Sequence, residues 1–91
     1  MKLLQGLILH ETPDGTIAVA TGEAATVLNG MIRLSDTAAF ILHQMKEDVT
    51  EEQIVEALLA NYTGVTPDQA KADVRDVIAR LDKVGLICHD A

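Results

Sequence analysis

Near Ser35 the apolar residues change their spacing, and this single change restricts the chain to folds in which a sheet is laid down before any helix begins. Upstream the signals are strand and turn. Residues 6–11 (GLILHE) are rich in β-compatible side chains. Thr12-Pro13-Asp14-Gly15 supplies a turn, because proline presets φ and Asp-Gly tolerates the positive φ of a hairpin. Residues 16–21 (TIAVAT) return as a second strand with Ile17 and Val19 on one face. Gly22-Glu23-Ala24-Ala25 interrupts the pattern, and Asn29-Gly30 marks a tight turn or a bulge. Residues 26–34 therefore read either as one bulged strand or as two short pieces. The third strand is best defined over Met31–Leu34.

Downstream the spacing is helical. Ser35 and Asp36 are both good N-caps. Ala38, Ala39, Phe40, Ile41, Leu42 and Met45 make the first helix apolar nearly all round, which predicts the most buried helix. Lys46-Glu47-Asp48 ends it. Thr50-Glu51-Glu52-Gln53 has the form of a capping box, followed by one apolar stripe of Ile54, Val55, Leu58, Leu59 and Tyr62. Thr66, Pro67, Asp68 and Gln69 repeat the device with proline at the first helical position. The third stripe is Ala70, Val74, Val77, Ile78, Leu81 and Val84, and Gly85 is a fitting stop. Leu86 and Ile87 are expected to pack back onto the core. The order is βββααα, an α+β fold, in one domain over residues 1–91. Three strands cannot bury an apolar face alone, so the helices must cover one side of the sheet.

Apolar residues form 48% of the 91-residue chain, enough for one modest core. Phe40 and Tyr62 are the only aromatics, so that core must be aliphatic. Fourteen acidic residues against seven basic ones give a net charge of −7, which disfavours nucleic acid and anionic membrane. No apolar stretch approaches the roughly 18 residues of a membrane span. The apolar run 3–9 is interrupted by Gln5 and Gly6 and does not read as a secretory signal. Cys88 is the sole cysteine, so no internal disulfide can form. A cytoplasmic protein is expected.

No catalytic set converges in the sequence. His10, His43 and His89 are scattered without metal-ligand spacing. Cys88 adjoins His89 on what reads as a terminal tail, where the acidic Asp90 opposes the electropositive setting that a nucleophilic thiol needs, so a packing role is expected. The glycines form no phosphate loop. Glu47, Asp48, Glu51 and Glu52 read as a solvated helix junction rather than a cation site. Neither enzyme activity, cofactor nor metal is expected.

The run Gly22-Glu23-Ala24-Ala25, followed by Asn29-Gly30-Met31-Ile32-Arg33-Leu34-Ser35-Asp36-Thr37-Ala38-Ala39, resembles the PqqD-like family (coenzyme PQQ synthesis protein D). Members of that family typically read as a strand ending in Leu, then Asn or Asp, Glu, Thr and a small pair opening a helix. Here Ser35 and Asp36 replace the usual Asn and Glu, and both still cap a helix. Tyr62, Val65 and the ending Leu81-x-x-x-Gly85-Leu86-Ile87 also fit, so the resemblance covers about residues 5–87.

The resemblance implies a winged-helix-like recognition element for ribosomally made, modified peptides. The leader of a precursor peptide would pair as an extra strand against Met31, Ile32, Arg33 and Leu34, with its other side on the third helix. The namesake hands its peptide to a radical SAM enzyme, and relatives serve other peptides and other modifying enzymes. On the third helix the expected contacts are Lys71, Val74, Arg75 and Ile78. Lys71 and Arg75 stand one turn apart to hold acidic leader residues, and Val74 and Ile78 are core residues whose edges line a groove. Two other readings share the topology. A DNA-binding winged helix is opposed by the third helix, where Lys71, Arg75, Arg80 and Lys83 are cancelled by Asp68, Asp73, Asp76 and Asp82. A structural subunit that dimerises through the third strand leaves monomer and homodimer both open.

Overall fold

The computed structural model describes residues 1–88, and His89 lies outside the described residues. The chain runs β1 (Lys2–Leu3), β2 (Leu7–Thr12), β3 (Gly15–Ala20), a 3-10 turn (Ala24–Thr26), β4 (Met31–Leu34), α1 (Asp36–Gln44), α2 (Glu51–Asn61), α3 (Pro67–Val84) and β5 (Ile87–Cys88). β2, β3 and β4 form an antiparallel sheet in that order, and the three helices follow it, as the change of spacing predicts. Residues 26–34 turn out to be neither a bulged strand nor two strands. The 3-10 turn ends at Thr26, and only Met31–Leu34 pairs with β3.

The alternation of the sheet decides what each face meets. Leu7, Leu9, Ala20 and Leu34 pack against the core, and Ala18 is fully buried. The opposite face is open to solvent: Ile8, Val19 and Met31 stand in one cross-strand row, with Ile8 and Met31 exposed. The β2–β3 hairpin turns through Pro13 and Asp14. The left-handed backbone there falls on Gly15 (φ 135°), and among the described residues no non-glycine residue has positive φ, so Asp14 does not need the tolerance its neighbour supplies.

The helices form where their caps predict. Ser35 Oγ accepts the Ala38 N–H and starts α1. Thr50 and Gln53 make the reciprocal capping box of α2, at 3.1 and 3.0 Å. In α3 Thr66 Oγ1 accepts the Gln69 N–H at 3.2 Å, Pro67 opens the helix, and only the threonine half of the box forms. Gly85 ends α3 in the left-handed conformation, with its N–H donating back to the Leu81 and Asp82 carbonyls. α1 carries the deepest side chains, since Ile41 and Leu42 in it and Met45 at its end are wholly buried among Ile54, Leu58, Val74 and Leu86. Phe40 and Tyr62 meet edge to face with centroids 5.5 Å apart, tying α1 to the end of α2.

One pairing is absent from the sequence reading. β1 pairs antiparallel with β5, Lys2 opposite Cys88 and Leu3 opposite Ile87. Leu4 and Leu3 extend this clasp by donating to the Leu86 and Met45 carbonyls, both at 2.9 Å. Cys88 thus belongs to a paired strand rather than to a tail. The Met1 ammonium donates to Asp48 Oδ1 at 2.7 Å, and that bond and charge hold the Asp48 carboxyl below its ordinary range. Among the described residues no helix is long and apolar enough to cross a membrane.

Candidate functional site: the open edge of the third sheet strand and its groove

β4 is the last strand of its sheet, with β3 on one side and, among the described residues, no strand on the other. Its pairing fixes which backbone groups are unused. Opposed residues of β3 and β4 sum to the same register, and Ala20 N–H donates to Gly30 C=O, so Gly30 lies in a hydrogen-bonded pair. Antiparallel ladders alternate such pairs with open ones. Ile32 and Leu34 therefore bond toward β3, while the N–H and C=O groups of Met31 and Arg33 point to the open edge. The β2–β3 ladder agrees. Thr21 N–H donates to Gly6 C=O, which turns the backbone of Val19 and Ile17 toward β2 and away from Met31 and Arg33.

Beside that edge lies a groove of about 390 Å³. Ile32, Arg33 and Leu34 form its strand wall, and Val77, Arg80, Leu81 and Val84 of α3 form its helix wall. Leu28, Ala38 and Leu42 close it from behind, and Ser35 lies at one end. The groove is apolar apart from Ser35 and its only charged residues, Arg33 and Arg80. Both charged residues of the lining are cations, in a chain of net charge −7. Arg80 is engaged by Asp76 at 3.3 Å on the same helix, whereas Arg33 has no carboxylate partner among the described residues.

The structure divides the residues singled out from the sequence. Ile32, Arg33 and Leu34 line the groove, and Met31, 65% exposed, flanks it on the open face. Lys71 and Arg75 do not. They line a separate depression of about 370 Å³ between α2 and α3, together with Glu51, Glu52 and Glu56. Arg75 there faces Glu51 at 3.5 Å. Val74 is fully buried, and Ile78 is half-buried against the core. None of these four helix residues borders the groove beside β4. At about 100° per residue, Val77, Arg80 and Val84 share an arc of about 60°, and Lys71 and Arg75 stand about 160° away on the face toward α2. Val77, Leu81 and Val84 were visible as a stripe, but Arg80 carried no signal beyond its charge.

Among the described residues no group of three or more His, Cys, Asp or Glu side chains is placed to hold a metal ion. The chain is similar in fold to "TbiB1 in Complex with the TbiA(beta) Leader Peptide", with a TM-score of 0.74 and 21% identity over 100% of this chain and 99% of that one. It is likewise similar to "Lasso peptide synthetase B1 complexed with the leader peptide", with a TM-score of 0.71 and 18% identity over 97% of this chain and 96% of that one. No curated protein matches it in sequence. The family model for coenzyme PQQ synthesis protein D matches residues 11–87, from the end of β2 through β3, β4 and the three helices into β5, and the chain belongs to this PqqD family.

Proposed function

We propose that the chain is a non-catalytic recognition module that binds the leader of a ribosomally made precursor peptide and presents it to a modifying enzyme, a radical SAM enzyme or another. The leader adds as a strand along Met31–Leu34. Its inward side chains rest on Val77, Arg80, Leu81 and Val84. The observation that carries this reading is the unsatisfied backbone of Met31 and Arg33 standing over an apolar groove. Both similar solved structures are complexes with a leader peptide, which supports a leader as the ligand.

The test is amide hydrogen exchange with a candidate precursor leader peptide. Met31 and Arg33 amides exchange freely in the unliganded protein and slow on binding. Ile32 and Leu34 are protected in both states, because β3 already holds them. Slowing confined to β2, or to the α2–α3 depression at Lys71 and Arg75, contradicts strand addition at β4.

A further inference from the structure

Arg33 alternates with Ile32 and Leu34 along β4, and this alternation extends to any strand placed beside it. Ile32 and Leu34 lie on the groove face of β4, while Arg33, which also borders the groove, lies on the open face of the sheet in a row with Ile17 and His10. Cross-strand neighbours share a face. A residue added opposite Arg33 must therefore point outward beside its guanidinium, and the residues before and after it must point into the apolar groove. The guanidinium has no carboxylate of its own among the described residues. From these three facts, and resting on strand addition at β4, we infer that the recognised peptide carries the triplet apolar–acidic–apolar in register with Ile32-Arg33-Leu34. The pattern reads the same in both directions, so it holds for parallel and antiparallel addition alike. The acidic residue gives register, since a slip by one residue turns a carboxylate into the groove and an apolar side chain away from it.

The experiment uses three blocked synthetic heptapeptides, Ser-Thr-Val-X-Val-Thr-Ser with X as Glu, Gln or Lys, titrated into the full chain by NMR at low salt. The Glu peptide is expected to bind about 1.4- to fivefold tighter than the Gln peptide, the range of an opposed cross-strand charge pair, and the Lys peptide more weakly than either. The preference shrinks at high salt. Arg33→Glu should reverse the order and Arg33→Gln abolish it. Both variants alter an exposed side chain, and a retained amide spectrum verifies the fold. Equal affinities for the three peptides, with Met31 and Arg33 amides still shifting, overturn the charge inference and leave strand addition standing. If no peptide moves those amides at millimolar concentration, strand addition itself fails and takes this inference with it.

Discussion

At the scale of single residues, the two sides of α3 make opposite predictions. Val84 is 43% exposed and lines the groove, so Val84→Asp places a charge against the peptide while disturbing little of the core. Leader affinity is expected to fall by about 1–3 kcal/mol, the cost of desolvating a carboxylate left without a partner. Arg75→Glu removes an exposed pair with Glu51 in the other depression, and neither leader affinity nor stability should change by more than about 0.5 kcal/mol. Calorimetric titration of both variants checks the pair. A loss of affinity in Arg75→Glu alone moves the binding surface to the α2 side. Gly6 is a different kind of constraint. Its φ is +97°, and a Cβ would overlap the backbone carbonyl of Thr21, whose N–H and hydroxyl both donate to the Gly6 carbonyl. Gly6→Ala should cost ~2 kcal/mol in a denaturant melt, since strain and displacement add. The sequence did not single this glycine out, because its need for positive φ arises only from a neighbour fifteen residues away.

At the scale of elements, local chemistry was legible and relative rotation was not. Each helix start follows from side chains within four residues of it, so Ser35, Thr50 and Thr66 were identifiable before any contact was known. Thr50→Ala removes the hydroxyl that accepts the Gln53 N–H, while the backbone N–H at position 50 still donates to Gln53 Oε1; the loss should cost about 1 kcal/mol, lowering Tm by about 4–8 °C in a domain of this size. The rotation of α3 about its axis is another matter. The helix has an α2-facing side with Lys71 and Arg75, a core side with Ala70 and Val74, and a groove side with Val77, Arg80 and Val84. Spacing gives the angles between these sides but not which one meets β4. That is set by long-range contacts, above all the burial of Leu86 and the pairing of Ile87 with Leu3. The β1–β5 clasp itself was invisible for a simpler reason. Each strand has two residues, too few to display a period of two.

At the scale of the whole molecule, the same charge balance that opposes DNA also defines how a peptide must be held. β4 offers four residues, so an added strand is held over only about 13 Å of backbone, and main-chain bonds alone give little specificity. The groove wall and Arg33 must supply the rest. Binding at this edge stabilises the folded chain by linkage, by about 2.7 kcal/mol at a free leader concentration of 100 Kd. For a domain of this size that raises Tm by about 10–20 °C. A DNA duplex at micromolar concentration and low salt should leave Tm where it is. α3 carries four cations and four acids, α2 adds Glu51, Glu52 and Glu56, and no face accumulates the several cations that counterion release requires. Thermal melts with leader, with duplex and with neither decide between the readings. A duplex-induced rise that fades with added salt, in the absence of any leader effect, would mean that Arg33 and Arg80 serve phosphates rather than a peptide carboxylate.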